Sequence, residues 1–149
     1  MGQALDLLRE ALQRSDANDM DGFIAMQAPD TEWLTPDGPL HGRDAVREYV
    51  ARFRLAFPDG RHTIDRVVEG SDTTVAIEGS WTGTHTGPFA TPQGEVPPTG
   101  RTLGMQFALF VEGDPAARRA SRVALYMDQL AIAAQLGLLP EPQATAAVS

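Results

Sequence analysis

The sequence predicts an α+β fold, and three observations predict it. Apolar residues recur at helical spacing through about residue 57, the period then changes to two over four segments, and Gly/Pro-rich breaks separate the parts. Helices followed by a strand meander give helices packed across one face of a curved antiparallel sheet. Wrapped around the N-terminal helices, such a sheet makes a cone with an internal apolar pocket.

Each element has its own signal. Leu5, Leu8 and Leu12 give a first amphipathic helix over about residues 2–14. Asn18 reads as the N-cap of a short second helix, with Asp19 and Asp21 in its first turn and Met20, Phe23 and Ile24 as its buried stripe. Thr31 to Thr35 reads as a short strand, closed by the Pro36-Asp37-Gly38-Pro39 turn. Gly42 to Phe57 forms a third helix, because Val46, Tyr49, Val50, Phe53 and Phe57 share one face, and Pro58-Asp59-Gly60 stops it. Arg61–Glu69, Thr73–Thr86, Arg101–Glu112 and Arg122–Leu130 alternate as strands, with Gly70-Ser71-Asp72 a tight connection between the first two. Residues 87–100 hold four prolines and three glycines, which exclude regular structure and suit a lid or a crossing loop. Asp114 to Ala120 is a further connection, and Ala131 to Leu139 a short closing helix.

The chain has 149 residues, read as one cone domain over 1–140 and a disordered tail over 141–149. Apolar residues make up 42% and charged residues 21%, a globular composition. Twenty acids face twelve bases, all arginine, for a net charge of −8. That surface repels phosphate backbones and carries no basic stripe, so no nucleic-acid partner is expected. No apolar run approaches the ~18 residues of a membrane span. Met1 to Arg14 mixes acids with bases, unlike a secretion signal, so a cytoplasmic location is expected. Without Cys there is no thiol nucleophile, and without Lys no Schiff base. His41, His62 and His85 lie far apart and lack the spacing of a helical metal pair, so no metal is expected.

Two stretches resemble a known family. Gly83-Thr84-His85-Thr86-Gly87-Pro88-Phe89 followed by Pro97-Pro98-Thr99-Gly100-Arg101 is similar to the signature of the SnoaL-like polyketide cyclases. Tyr126-Met127-Asp128-Gln129-Leu130, continued by Gln135-Leu136-Gly137-Leu138-Leu139-Pro140, resembles that family's closing strand and helix, and Phe57-Pro58-Asp59 also fits. The resemblance covers roughly residues 4–140. It implies the nuclear-transport-factor-2-like cone and cofactor-free aldol closure of a ring on an aromatic polyketide. It also implies that Asp128 is the general acid/base. The sequence departs from the family at Tyr126, where members often carry histidine, and matches the polar residues of the preceding strand only at Gln106.

On its own terms, Asp128 shares a strand face with Tyr126 and Ala124 in an apolar run. A carboxyl inside an apolar cone loses hydration and becomes a stronger base toward a carbon acid; on the surface it is a strand-end residue or an N-cap. Tyr126 is either a hydrogen-bond donor to an enolate or a sheet aromatic. Gln106 binds a carbonyl or faces solvent. His85 contacts substrate at a lid hinge or organises the Pro-rich loop, while His41 and His62 read as ordinary. Trp33, Tyr49, Phe53 and Trp81 are cone-wall residues whose flat rings suit a flat substrate.

Other chemistries share such a cone. Epoxide hydrolysis needs an Arg-x-Asp strand motif, and the one Arg-x-Asp here, Arg14-Ser15-Asp16, ends the first helix. Epoxide-opening cyclisation, assistance to hydroxylation, isomerase-like proton transfer and plain small-molecule binding remain alternatives to aldol closure. Apolar residues on both strand phases favour a homodimer or homotetramer.

Overall fold

The computed structural model of the chain describes residues 2–139. Its first helix, α1 (Gln3–Asp16), buries Leu5, Leu8, Ala11, Leu12 and Ser15, one stripe at three- and four-residue spacing. Asn18 does not cap the next helix. It takes a left-handed backbone (φ 60°), which asparagine tolerates and which ends α1. Asp19 is the cap instead: its Oδ1 accepts the Gly22 N–H at 3.0 Å and opens α2 (Met20–Ala25).

β1 (Gln27–Thr35) begins earlier than its apolar core suggests and pairs with β2 (Gly38–His41), a hairpin strand hidden in what reads as a turn. α3 (Gly42–Ala56) then leads from that hairpin to β3 (Arg61–Ser71) at the opposite edge of the sheet. β4 (Thr74–Thr84), β7 (Thr102–Asp114) and β8 (Arg119–Met127) return strand by strand, giving the order β2-β1-β8-β7-β4-β3. The meander reaches β1 with β8 running in β1's own direction, so this pair is parallel and the sheet is mixed rather than wholly antiparallel. Between β4 and β7, residues 87–100 are not wholly irregular: β5 (Phe89–Thr91) and β6 (Gly94–Val96) make a small hairpin. Its turn is set by Pro92, by the left-handed Gly94 (φ 124°), and by Thr91 Oγ1 donating to the Gly94 carbonyl at 2.7 Å. β8 stops at Met127, short of the expected Leu130, because Asp128 turns the chain into α4 (Gln129–Gln135). The expected tail, 141–149, lies outside the described residues.

Together the helices and the curved six-stranded sheet form an α+β cone. Alternation along β7 decides its two faces. Leu103, Phe107 and Leu109 are buried toward the helices, and Gln106 and Phe110 are exposed. Phe57, at the end of α3, is fully buried and meets Trp81 edge-on at 5.1 Å and Phe89 at 5.7 Å. Burying one such ring contributes about 1.5–3 kcal/mol. Arg54 is almost as deeply buried and fastens three segments. Its Nε donates to Asn18 Oδ1 at 2.9 Å, and its terminal nitrogens donate to the carbonyls of Gly60, Asp16 and Pro58 at 2.8, 3.2 and 3.0 Å. Lacking a carboxylate on those bonds, it is held by neutral oxygens, and burial pulls its pKa below the ordinary arginine value.

The outer face carries an apolar row across five strands. Leu34, Ala124, Phe110, Ala76 and Val68 are successive cross-strand partners, and Leu34, Phe110 and Val68 are exposed. No described helix is long and apolar enough to cross a membrane.

Candidate active site

Inside the cone lies a cavity of about 150 Å³. Leu8 and Leu12 of α1, Phe107 and Leu109 of β7, and Leu125 and Met127 of β8 supply apolar walls. Trp33, Tyr49, Phe53 and Trp81 add aromatic faces, so the four expected wall residues come together around one space. The Trp33 indole is fixed by a neighbour that also lines the cavity: its Nε1–H donates to Gln27 Oε1 at 3.0 Å. Both tryptophans of the chain therefore face the cavity.

Few polar groups interrupt this wall. Tyr49 Oη is fully buried beside Thr35, Asp37 and Arg52, none of which lines the cavity, and meets no partner at hydrogen-bond geometry among the described residues. Burial pushes its pKa up to about 12, so the phenol keeps its proton at neutral pH. His62, expected to be ordinary, also lines the cavity. It sits across from Trp81 in the β3–β4 pairing and meets the edge of Phe107 at 5.5 Å. Asp16 at the end of α1 holds it: Oδ1 is 2.6 Å from His62 Nδ1, and Oδ2 accepts the His62 backbone N–H at 3.0 Å. An ionised carboxylate can only accept, so Nδ1 carries a proton, and in the neutral imidazole Nε2 is then the nitrogen with the lone pair. The Arg54 bond to the Asp16 carbonyl ties that helix end to the same corner.

Asp128, Tyr126 and Gln106 lie elsewhere. Val123, Leu125 and Met127 face the cavity, so strand alternation turns Ala124, Tyr126 and Asp128 to the other side. The expectation of a desolvated Asp128 inside the cone gives way to an exposed N-cap. Its Oδ1 accepts the N–H groups of Leu130 and Ala131 at 3.0 and 3.1 Å. Asp128 and Gln106 share a shallow outer depression with Ser80 and Ala131. Tyr126 is half exposed and stacks edge-on against Phe110 at 6.0 Å.

His85 is fully buried but is not part of the cavity wall. Its Nδ1 accepts the Thr99 N–H at 3.2 Å and lies 2.9 Å from Thr99 Oγ1. Its backbone exchanges bonds with Gly100 and Arg101, closing the Pro-rich loop. Desolvation pulls its pKa below the usual histidine value. Among the described residues no three acidic or histidine side chains gather as metal ligands.

Sequence could have found His62 but not Asp16. Pairing β3 with β4 around the Gly70-Ser71-Asp72 turn puts His62 on Trp81's face, since the two register irregularities in that pair restore the alternation. The approach of Asp16 depends on how α1 crosses the sheet, which no local pattern encodes.

This architecture recurs in solved structures. AclR, a candidate hydroxylase from Streptomyces galilaeus, superposes with TM-score 0.78 at 21% identity, over 96% of this chain and 86% of its own. IdmH, a candidate polyketide cyclase from Streptomyces antibioticus, gives 0.74 at 23% identity, over 91% and 99%. TerC, co-crystallised with polyporic acid, gives 0.69 at 16%, over 91% and 99%. No curated protein sequence matches the chain. At the level of sequence families, the model of the SnoaL-like domain matches residues 8–117, and the chain belongs to that family.

Proposed function

We propose that this chain is a cofactor-independent enzyme that takes an apolar, ring-bearing polyketide-type molecule into the cavity and closes a further ring by intramolecular aldol addition. The observation that carries this reading is an aromatic-walled cavity whose few polar groups include the His62 imidazole. Aldol closure needs little else: a proton leaves a carbon flanked by carbonyls, that carbon bonds to a second carbonyl carbon, and the resulting alkoxide takes a proton. Similarity to a candidate polyketide cyclase and to a protein crystallised with polyporic acid supports the substrate class. A cavity of this size holds about one benzene-sized ring, so a fused-ring substrate moves the walls apart on binding.

Similarity to AclR favours a second reading, assistance to hydroxylation. The two separate by mass and by oxygen. A tricyclic anthraquinone polyketide ester incubated anaerobically should give a product of unchanged mass on the aldol reading. A product gaining one oxygen, formed only in air, would replace it with hydroxylation; binding without turnover would leave a small-molecule binder.

The same reading has copies of the chain cover the apolar row through Phe110 in a homo-oligomer. Sedimentation should show that species shifting toward monomer in Phe110→Glu.

A further inference from the structure

We propose that the His62–Asp16 pair, rather than Asp128, is the proton-transferring group of the cavity. The proposal rests on the cavity being the substrate site and adds the residue that does the chemistry there.

Three observations converge on His62. It lies on the cavity wall beside Trp81, its cross-strand neighbour, on whose ring a flat substrate would stack. Its ring is fixed in one tautomer by Asp16, with Nε2 left as the basic nitrogen. Asp16 grips the backbone N–H of the same residue as well, so strand and ring are positioned by one carboxylate. A salt bridge on an exposed surface would show neither the second bond nor an apolar cavity beside it. Asp128 shows the reverse arrangement: its Oδ1 is spent on a helix cap and its surroundings are solvent.

The step balances without any other reactant. His62 Nε2 takes the proton from the activated carbon, and the C–H electron pair becomes the enolate. The enolate carbon then bonds to the second carbonyl carbon, whose π pair moves onto oxygen. The imidazolium returns the proton to that alkoxide. Asp16 stays ionised throughout and offsets the transient positive charge, so it is a positioning residue and His62 the catalytic one.

The test uses the full chain with the tricyclic anthraquinone ester as probe. His62→Gln should lower kcat about a hundredfold or more, the scale of a lost general base. Asp16→Asn should lower kcat at least about tenfold with KM unchanged, since orientation and charge change while the cavity does not. Retained kcat in His62→Gln, or the hundredfold loss falling on Asp128→Asn instead, overturns the proposal. A binding arm separates its failure from that of the cavity reading. Polyporic acid is added while tryptophan fluorescence and the ¹³C resonances of labelled histidine are followed. A fluorescence change together with a moved His62 resonance supports the proposal. A fluorescence change with His62 unmoved overturns it and leaves the cavity reading standing; no change in either overturns both.

Discussion

Asp16 and His62 meet through two hydrogen bonds that leave only one ring nitrogen of the pair unengaged. Both carboxylate oxygens of Asp16 are engaged, at 2.6 Å with the ring Nδ1 and at 3.0 Å with the backbone N–H, and His62 Nε2 stays free of that grip. The pair is about one-fifth exposed on each side, 20% and 22%. A pair so placed contributes on the order of 1 kcal/mol to stability. Urea unfolding of His62→Gln should therefore show a loss of about that size. A loss above ~3 kcal/mol would mean that the pair is a structural clamp and that lost activity follows from lost fold.

Tyr49 makes a separate case. Its hydroxyl is buried without a partner among the described residues, which ordinarily destabilises the fold. Removing it in Tyr49→Phe should leave stability unchanged or raise it by up to ~1 kcal/mol. If the phenol donates to a substrate oxygen, the same variant should bind polyporic acid about tenfold more weakly, the equivalent of one hydrogen bond. Unchanged affinity in titration of the tryptophan signal would remove Tyr49 from ligand recognition.

Most of the fold was legible in the sequence because periodicity records burial. The stripe Leu5, Leu8, Leu12 and the face Val46, Tyr49 mark helices whose buried sides the structure reproduces. What escaped has physical reasons. β2 escaped because Gly38 and Pro39 carry turn chemistry, although their segment pairs along β1. β5 and β6 escaped because their proline-rich frame outweighs two three-residue strands. The site was legible only by halves. Strand phase placed Asp128 correctly with Tyr126 and Ala124, but phase says nothing of which face turns inward, and that face is the outer one. The inward side is fixed by where α1 and α3 pack, and that same packing brings Asp16 to His62.

The cap role of Asp128 gives a prediction independent of chemistry. Two amide groups of the first turn of α4 depend on its Oδ1. Asp128→Ala should destabilise the fold by about 1 kcal/mol, and Asp128→Asn by only a few tenths, since asparagine caps nearly as well. Thermal unfolding of the two variants checks it. Equal losses in both would show that the charge, and not the cap geometry, matters at this position.

The last prediction concerns pH and the Pro-rich loop. His85 is fully buried, and desolvation holds its folded-state pKa below the ordinary 6.5. The unfolded chain therefore binds the proton more readily than the folded one, and stability falls as pH falls. The contribution is present in full above about pH 6.5 and is lost as pH drops through the lower folded-state value. The structural route is specific: a protonated Nδ1 can no longer accept the Thr99 N–H, so the bond that anchors residues 87–100 breaks. Urea unfolding at pH 7.5 and pH 5.5 should show wild type losing more stability on acidification than His85→Gln. Hydrogen exchange at the Thr99 and Gly100 amides should quicken over the same interval in wild type. Parallel stability curves for the two proteins would mean that His85 binds its proton as readily in the folded chain as in the unfolded one, and would overturn the depressed folded-state pKa.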